Sequence, residues 1–278
     1  MPHSSERRAA CDSEGRHALA AYEQCAAYYD LFTAGYDHES WVGKLEQLAL
    51  AHGLRGRRAL DVGCGTGNST LPLMRRGYQV SACDLSPAMV RQARAKLGAT
   101  ANVFVADMRS LFVEEQFAFV TCLDDALNYL LSAADLGTAI RGFADALVPG
   151  GLVAFDLNTA ATYRSAFGAD ARFTAADGTL KWSGHQVAEP SVFAATIEPI
   201  GQTSAEWCPS LHVQRHHAPD TVIRACHDAG LELLQILGQS SGANLHDAFD
   251  EDRDTKLLYL ARKPVHRAKR GCDVIIKP

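Results

Sequence analysis

Three short stretches of the chain bring together residue types that can do chemistry. The first, ALDVGCGTGNST (59–70), places Gly63, Gly65 and Gly67 between an apolar run and a helix start. Glycines so spaced let a backbone turn tightly and come close to a ligand. A phosphate-cradling P-loop would end in Gly-Lys-Ser/Thr, whereas this loop ends Gly67-Asn68-Ser69 and offers no lysine. The dinucleotide fingerprint needs its third glycine at 68, where Asn68 stands. Two carboxylates flank the loop in sequence: Asp61 on the preceding strand, and Asp84 at the end of the next, seventeen positions beyond Gly67. A carboxylate at the second place can accept two hydrogen bonds from vicinal ribose hydroxyls. Asp61 has two readings, contact with the ligand or hydrogen bonding to the loop's own amides.

The second stretch is CLDDALNYL (122–130), in which Asp124 and Asp125 directly follow an apolar run. One of the pair can cap the helix that follows while the other serves an acceptor, as orienting group or base, and Asp125 is favoured for the second task. The third is HVQRHHAP (212–219). As a strand it sets His212, Gln214 and His216 on one face and Arg215 and His217 on the other. A histidine there, His216 first, can be a general base near neutral pH; the alternative is a solvated strand face ending at Pro219. The histidines are not at helical spacing and lack further ligands, so no metal is expected.

The elements that must position these residues follow from hydrophobic periodicity. Residues 57–64, 78–84, 102–107, 117–124 and 151–158 are short, continuous apolar runs, as expected of strands covered on both faces. Amphipathic segments lie between them, one opening with Ser86-Pro87 as N-cap and first helical residue. Alternating strand and helix predicts a doubly wound parallel α/β sheet, with ligands at the carboxyl ends of its strands. Helical spacing from Leu19 to Leu54, broken near Gly35, predicts two or three preceding helices. After Asn158 partial alternation and Pro, Gly and Ser turns predict a small antiparallel insertion.

The whole chain has 278 residues, 47% of them hydrophobic, and a formal charge of −5. It is long enough for a substantial core and carries no bulk positive field to draw nucleic acid or an anionic membrane. Eight cysteines include no C-x-x-C pair, which fits small core residues in a reducing compartment. No signal-peptide stretch and no run near the roughly 20 apolar residues of a membrane span is present, so a cytoplasmic protein is expected.

With LDVGCGTG, ACDLS followed by Pro87-Ala88-Met89, VFVADMRSL and LVPGGLVAFDLNT in order, the chain resembles the class I S-adenosylmethionine-dependent methyltransferases, in particular those acting on small natural-product and amino-sugar acceptors. The resemblance implies a Rossmann-like, seven-stranded, mostly parallel sheet with N-terminal helices and an antiparallel β insertion. It implies S-adenosylmethionine as cofactor, approached by Gly63, Gly65 and Gly67. Asp84 would hold the ribose, Leu85 would sit beside the adenine, Asp107 and Met108 would meet its amine and ring face, and Leu123 would lie nearby. Tyr29 resembles the tyrosine that covers the cofactor, with Tyr28 as the competing choice. Trp41, Asp124, Arg215 and His217 would line the acceptor. The domain is expected over 18–264, its lid insertion over 159–218, with a disordered start over 1–17 and a tail over 265–278. A small-molecule acceptor methylated on nitrogen is favoured over oxygen or carbon. An RNA or protein methyltransferase and a noncatalytic cofactor-binding scaffold are the rivals. A homodimer is left open.

Overall fold

The structure is a computed structural model describing residues 4–175, 178–201, 207–240 and 244–265, with side chains from residue 15 onward. Three helices lead the chain: α1 (Ser4–Cys25), α2 (Tyr29–Phe32) and α3 (His38–Ala51). The helix α1 runs through residues 4–17 of the stretch expected to be disordered, whose residues 1–3 lie outside the described residues. Its polar, low-hydropathy sequence hid it.

Alternation then follows: β1 (Arg58–Val62), α4 (Thr70–Arg75), β2 (Gln79–Asp84), α5 (Pro87–Leu97), β3 (Asn102–Val105), β4 (Phe117–Cys122), α6 (Ala133–Ala146) and β5 (Leu147–Asn158). Ser86 caps α5 by accepting the Met89 amide at 3.1 Å, with Pro87 in the first turn, as its sequence implied. Next come α7 (Ala160–Ser165) and a four-stranded antiparallel sheet, β6 (Asp170–Ala175), β7 (Gly178–His185), β8 (Val192–Ile200) and β9 (Ser210–Arg215), paired in that order. The chain returns to the main sheet through α8 (Pro219–Asp228), β10 (Glu232–Ser240), β11 (Asn244–His246) and β12 (Lys256–Arg262).

The main sheet has the order β11-β10-β12-β5-β4-β1-β2-β3. The five strands β3, β2, β1, β4 and β5 are parallel, and β12, β10 and β11 pair antiparallel. Seven strands were expected; the eighth is the three-residue edge strand β11. Successive residues of each central strand serve opposite cores, which is why the runs are continuous rather than alternating. On one face Leu60, Val120, Phe155 and Tyr259 pack with Ile140 and Phe143 of α6 and Val222 of α8. On the other, Ala59, Phe119, Ala154 and Leu258 pack with Trp41 and Leu45 of α3 and Leu73 of α4. The direction of winding reverses between β1 and β4, so their carboxyl ends open a crevice. No helix among the described residues is long and apolar enough to cross a membrane.

Candidate active site

The glycine loop leaves β1 into that crevice. Gly63, Gly65 and Gly67 take φ of 69°, 54° and 88°, values that disfavour any side chain. A Cβ on Gly63 would stand 3.0 Å from the Ala126 Cβ, so the loop passes directly against the segment after β4. Asp84, at the end of β2, ties the loop down: one carboxylate oxygen accepts Gly65 N–H and the other Ser86 N–H, each at 2.9 Å. Burial pushes its carboxyl up, against these hydrogen bonds. Asp61 takes neither form of its two readings alone. Its oxygens accept the hydroxyls of Thr70 (2.6 Å) and Thr121 (2.8 Å), joining β1 to α4 and β4, while it also lines the crevice.

A cleft lies over this loop, its wall including Tyr29, Asp61, Gly63, Gly65, Asp84, Leu85, Asp107, Met108 and Leu123. Gly67 is the exception among the cofactor residues: its α-carbon faces Leu97, where a Cβ would come within 3.0 Å, so it serves helix packing rather than the cleft. Asp107 is engaged by Arg109, whose guanidinium grips the carboxylate at 2.6–3.1 Å and holds its carboxyl low against the effect of burial.

A second cavity adjoins the first and is walled by rings, among them Tyr36, Phe167 and Trp182. Tyr22, Tyr29, His38, Asp124 and Tyr129 line both spaces and so form the boundary between them. Asp124 and Asp125 adopt consecutive left-handed conformations, φ 59° and 55°. Neither side chain caps the short 3-10 helix Ala126–Tyr129 that follows. Instead both backbone N–H groups donate to Asp156 at the end of β5, at 3.0 and 2.7 Å. The Asp125 carboxylate is held from both sides, by Lys256 Nζ at 2.8 Å and Gln214 Nε2 at 2.7 Å. Asp124 instead stands 3.4 Å from His38 Nε2; burial opposes its ionisation, but His38 and Lys256 hold its carboxyl below the usual range.

A family model for a methyltransferase domain matches residues 59–151. A protein of Geobacillus sp. (strain WCH70) named as a methyltransferase is 31% identical over 251 residues, spanning 87% of this chain and 99% of its own. The chain belongs to the S-adenosylmethionine-dependent methyltransferases. A crystal structure of such an enzyme from Clostridium acetobutylicum, 21% identical, covers 86% of this methyltransferase and 96% of its own chain with a TM-score of 0.72, in agreement on the fold. A Streptomyces venezuelae dTDP-3-amino-3,4,6-trideoxy-alpha-D-glucopyranose N,N-dimethyltransferase is 30% identical over 46% of this chain and 54% of its own, so the match spans about half of that relative.

The first cleft fits the methyl donor. S-adenosylmethionine has a sulfonium, an ammonium and a ribose but no phosphate, and the wall offers the carboxylates of Asp61 and Asp84 beside a glycine cradle with no room for side chains at Gly63. Each Asp84 oxygen, with one backbone donor, retains a lone pair for a ribose hydroxyl.

Several expected acceptor residues of the methyltransferase lie elsewhere. His216 Nε2 meets Glu251 at 2.8 Å and lines neither space. His217 is buried on the Leu130 carbonyl (2.8 Å), and Arg215 pairs with Glu189 beside a separate hollow. Trp41 is a core residue of α3, and Tyr28 is buried with its hydroxyl on the Cys208 carbonyl and Ser210, leaving Tyr29 at the boundary. The strand β9 ends at Arg215, so only His212 and Gln214 of the expected face reach the cavity. His38, Lys256, Asp156, Tyr22 and Tyr129 were not singled out in the sequence, although Tyr129 lay inside the motif CLDDALNYL and Asp156 inside LVPGGLVAFDLNT.

Proposed function

We propose that the methyltransferase methylates the nitrogen of a small amine held in the ring-walled cavity. The observation that carries this reading is Asp124, an anionic carboxylate on the boundary of both spaces with His38 at 3.4 Å. When bound, S-adenosylmethionine supplies a methyl group on a cationic sulfur, which a nitrogen lone pair can displace in line.

An amine arrives as an ammonium and must lose a proton before its lone pair is available. Asp124, with His38 Nε2 beside it at 3.4 Å, attracts and orients that ammonium at its Oδ atoms, and its carboxylate accepts the proton that the amine releases. The boundary phenols cannot replace it as base: burial raises the hydroxyls of Tyr22, Tyr29 and Tyr129 above their ordinary titration, so they remain neutral donors. Tyr129 is oriented by His212 Nδ1 at 2.8 Å, whose other nitrogen meets Ser210 Oγ at 2.9 Å. The rings of Phe32 and Trp182, stacked at 5.9 Å, and Phe167 beside them wall the cavity from the lid side. The amino-sugar relative supports nitrogen as the acceptor atom.

The test is a product screen by mass spectrometry with labelled methyl donor against primary and secondary amines, phenols and carbon acids. Methylated amine together with S-adenosylhomocysteine is expected. Methylation confined to hydroxyl or carbon acceptors would overturn the reading, and donor binding without product from any class would favour a scaffold.

A further inference from the structure

We propose that Lys256 is a positioning residue for methyl transfer: its ammonium clamps Asp125 to Asp156, fixes the left-handed Asp124–Asp125 turn, and leaves Asp124 as the anion that meets the acceptor. The proposal rests on the amine reading for its kinetic consequence, but the clamp itself is a matter of geometry.

Two consecutive non-glycine residues in the left-handed region persist only where surrounding groups hold them. Asp156, fully buried, provides the holding by accepting the N–H groups of both residues, one on each oxygen. That places its carboxylate beside those of Asp124 and Asp125, three like charges in one buried corner. Lys256 is the cation that makes the arrangement tenable. Its Nζ lies 2.8 Å from Asp125 Oδ1 and 3.2 Å from Asp156 Oδ1, and only 4% of the residue is exposed. Burial alone would lower its ammonium, but Asp125 and Asp156 hold it well above its ordinary value, so it stays charged.

The fold sets this geometry through strand register. In the antiparallel β5–β12 pair, Asp156 faces Leu258 and Lys256 faces Asn158, which makes Asp156 and Lys256 diagonal neighbours on one face. Lys256 also lines the acceptor cavity, with Nζ 5.8 Å from the centre of the Tyr36 ring. With Gln214 on its other oxygen, Asp125 is committed to this clamp. Asp124 differs because its carboxylate faces His38 on the boundary instead.

The experiment compares Lys256→Met and Lys256→Arg with the full-length protein. Amide exchange, read by mass spectrometry on the peptide covering 123–130, should accelerate at least tenfold in Lys256→Met while the glycine-loop peptide changes less than twofold. With 2-phenylethylamine as probe, kcat should fall at least tenfold while KM for S-adenosylmethionine stays within twofold. Lys256→Arg, which keeps the charge, should recover most of both losses. Unchanged exchange over 123–130, or a folded Lys256→Arg as impaired as Lys256→Met, would overturn the clamp. Should Lys256→Met fail to fold, Lys256→Arg decides alone: near-native protection supports the clamp and its loss in a folded protein refutes it. If the unmodified enzyme methylates no amine, the acceptor reading falls, and the exchange measurement still judges Lys256.

Discussion

Asp84 engages the Gly65 and Ser86 amides with separate oxygens, and any ribose hydroxyl would add a charge-assisted bond to that carboxylate. Asp84→Ala should therefore weaken S-adenosylmethionine binding by roughly 1.5–3 kcal/mol for a hydrogen bond to a charged group. Calorimetry checks this, and unchanged affinity would remove Asp84 from the donor site. Asp124→Asn tests the other half of the chemistry. It should lower kcat on an amine by roughly a hundredfold or more, the range of general acid–base assistance, with donor affinity nearly unchanged. Equal losses in kcat and donor affinity would instead make Asp124 a cofactor residue. The donor half of this site was legible because its residues lie in contiguous motifs at strand ends, where residue type alone limits the ligand. The acceptor half was not. Asp125 was favoured over Asp124, yet a lysine 131 positions away occupies Asp125, and no local pattern announces such a partner. His216 looked reactive by type and failed by position, since the strand ends one residue before it.

At the scale of elements, the glycine loop joins β1 to α4 and must also pass under α5. Gly67 combines φ 88° with a Cβ position 3.0 Å from Leu97 Cδ1, so Gly67→Ala meets both backbone strain and overlap. The left-handed backbone alone should cost about 1–2 kcal/mol, and urea denaturation should show a lower midpoint with an unchanged slope. A midpoint equal to that of the unmodified protein would mean that the loop relaxes freely. The parallel strands and their helices were readable because double burial produces continuous apolar runs and Ser86-Pro87 marks a helix start. Elements without such a signal were missed. The sequence of β6, DARFTA, places Asp170, Arg172 and Thr174 along an edge strand, and β11 is only three residues long. The helix α1 begins in polar sequence that carries little amphipathic signal.

For the whole molecule, buried titratable groups couple folding to pH. Burial lowers the imidazoles of His212 and His217 to about 4, His217 in spite of its bond to the Leu130 carbonyl. In the unfolded chain histidine titrates near 6.5, so between about pH 6.5 and 4 the unfolded state binds more protons and stability is lost as pH falls. Asp61 acts in the opposite sense. Burial raises its carboxyl to about 6 despite the hydroxyls of Thr70 and Thr121, so the folded state binds the extra proton and gains stability as pH falls through 6. Between pH 7 and pH 5 each histidine should cost about 2 kcal/mol while Asp61 returns about 1 kcal/mol. Asp84, raised in the same direction by burial, opposes the histidines as well, so the net loss stays below about 3 kcal/mol. Urea unfolding at the two pH values measures it directly, and His212→Gln, which cannot titrate, should show a difference smaller by about 2 kcal/mol. Equal or greater stability of the unmodified protein at pH 5 would mean that His212 and His217 are not held neutral in the folded state, and with that the neutral imidazole assigned to orient Tyr129 at the boundary would be lost.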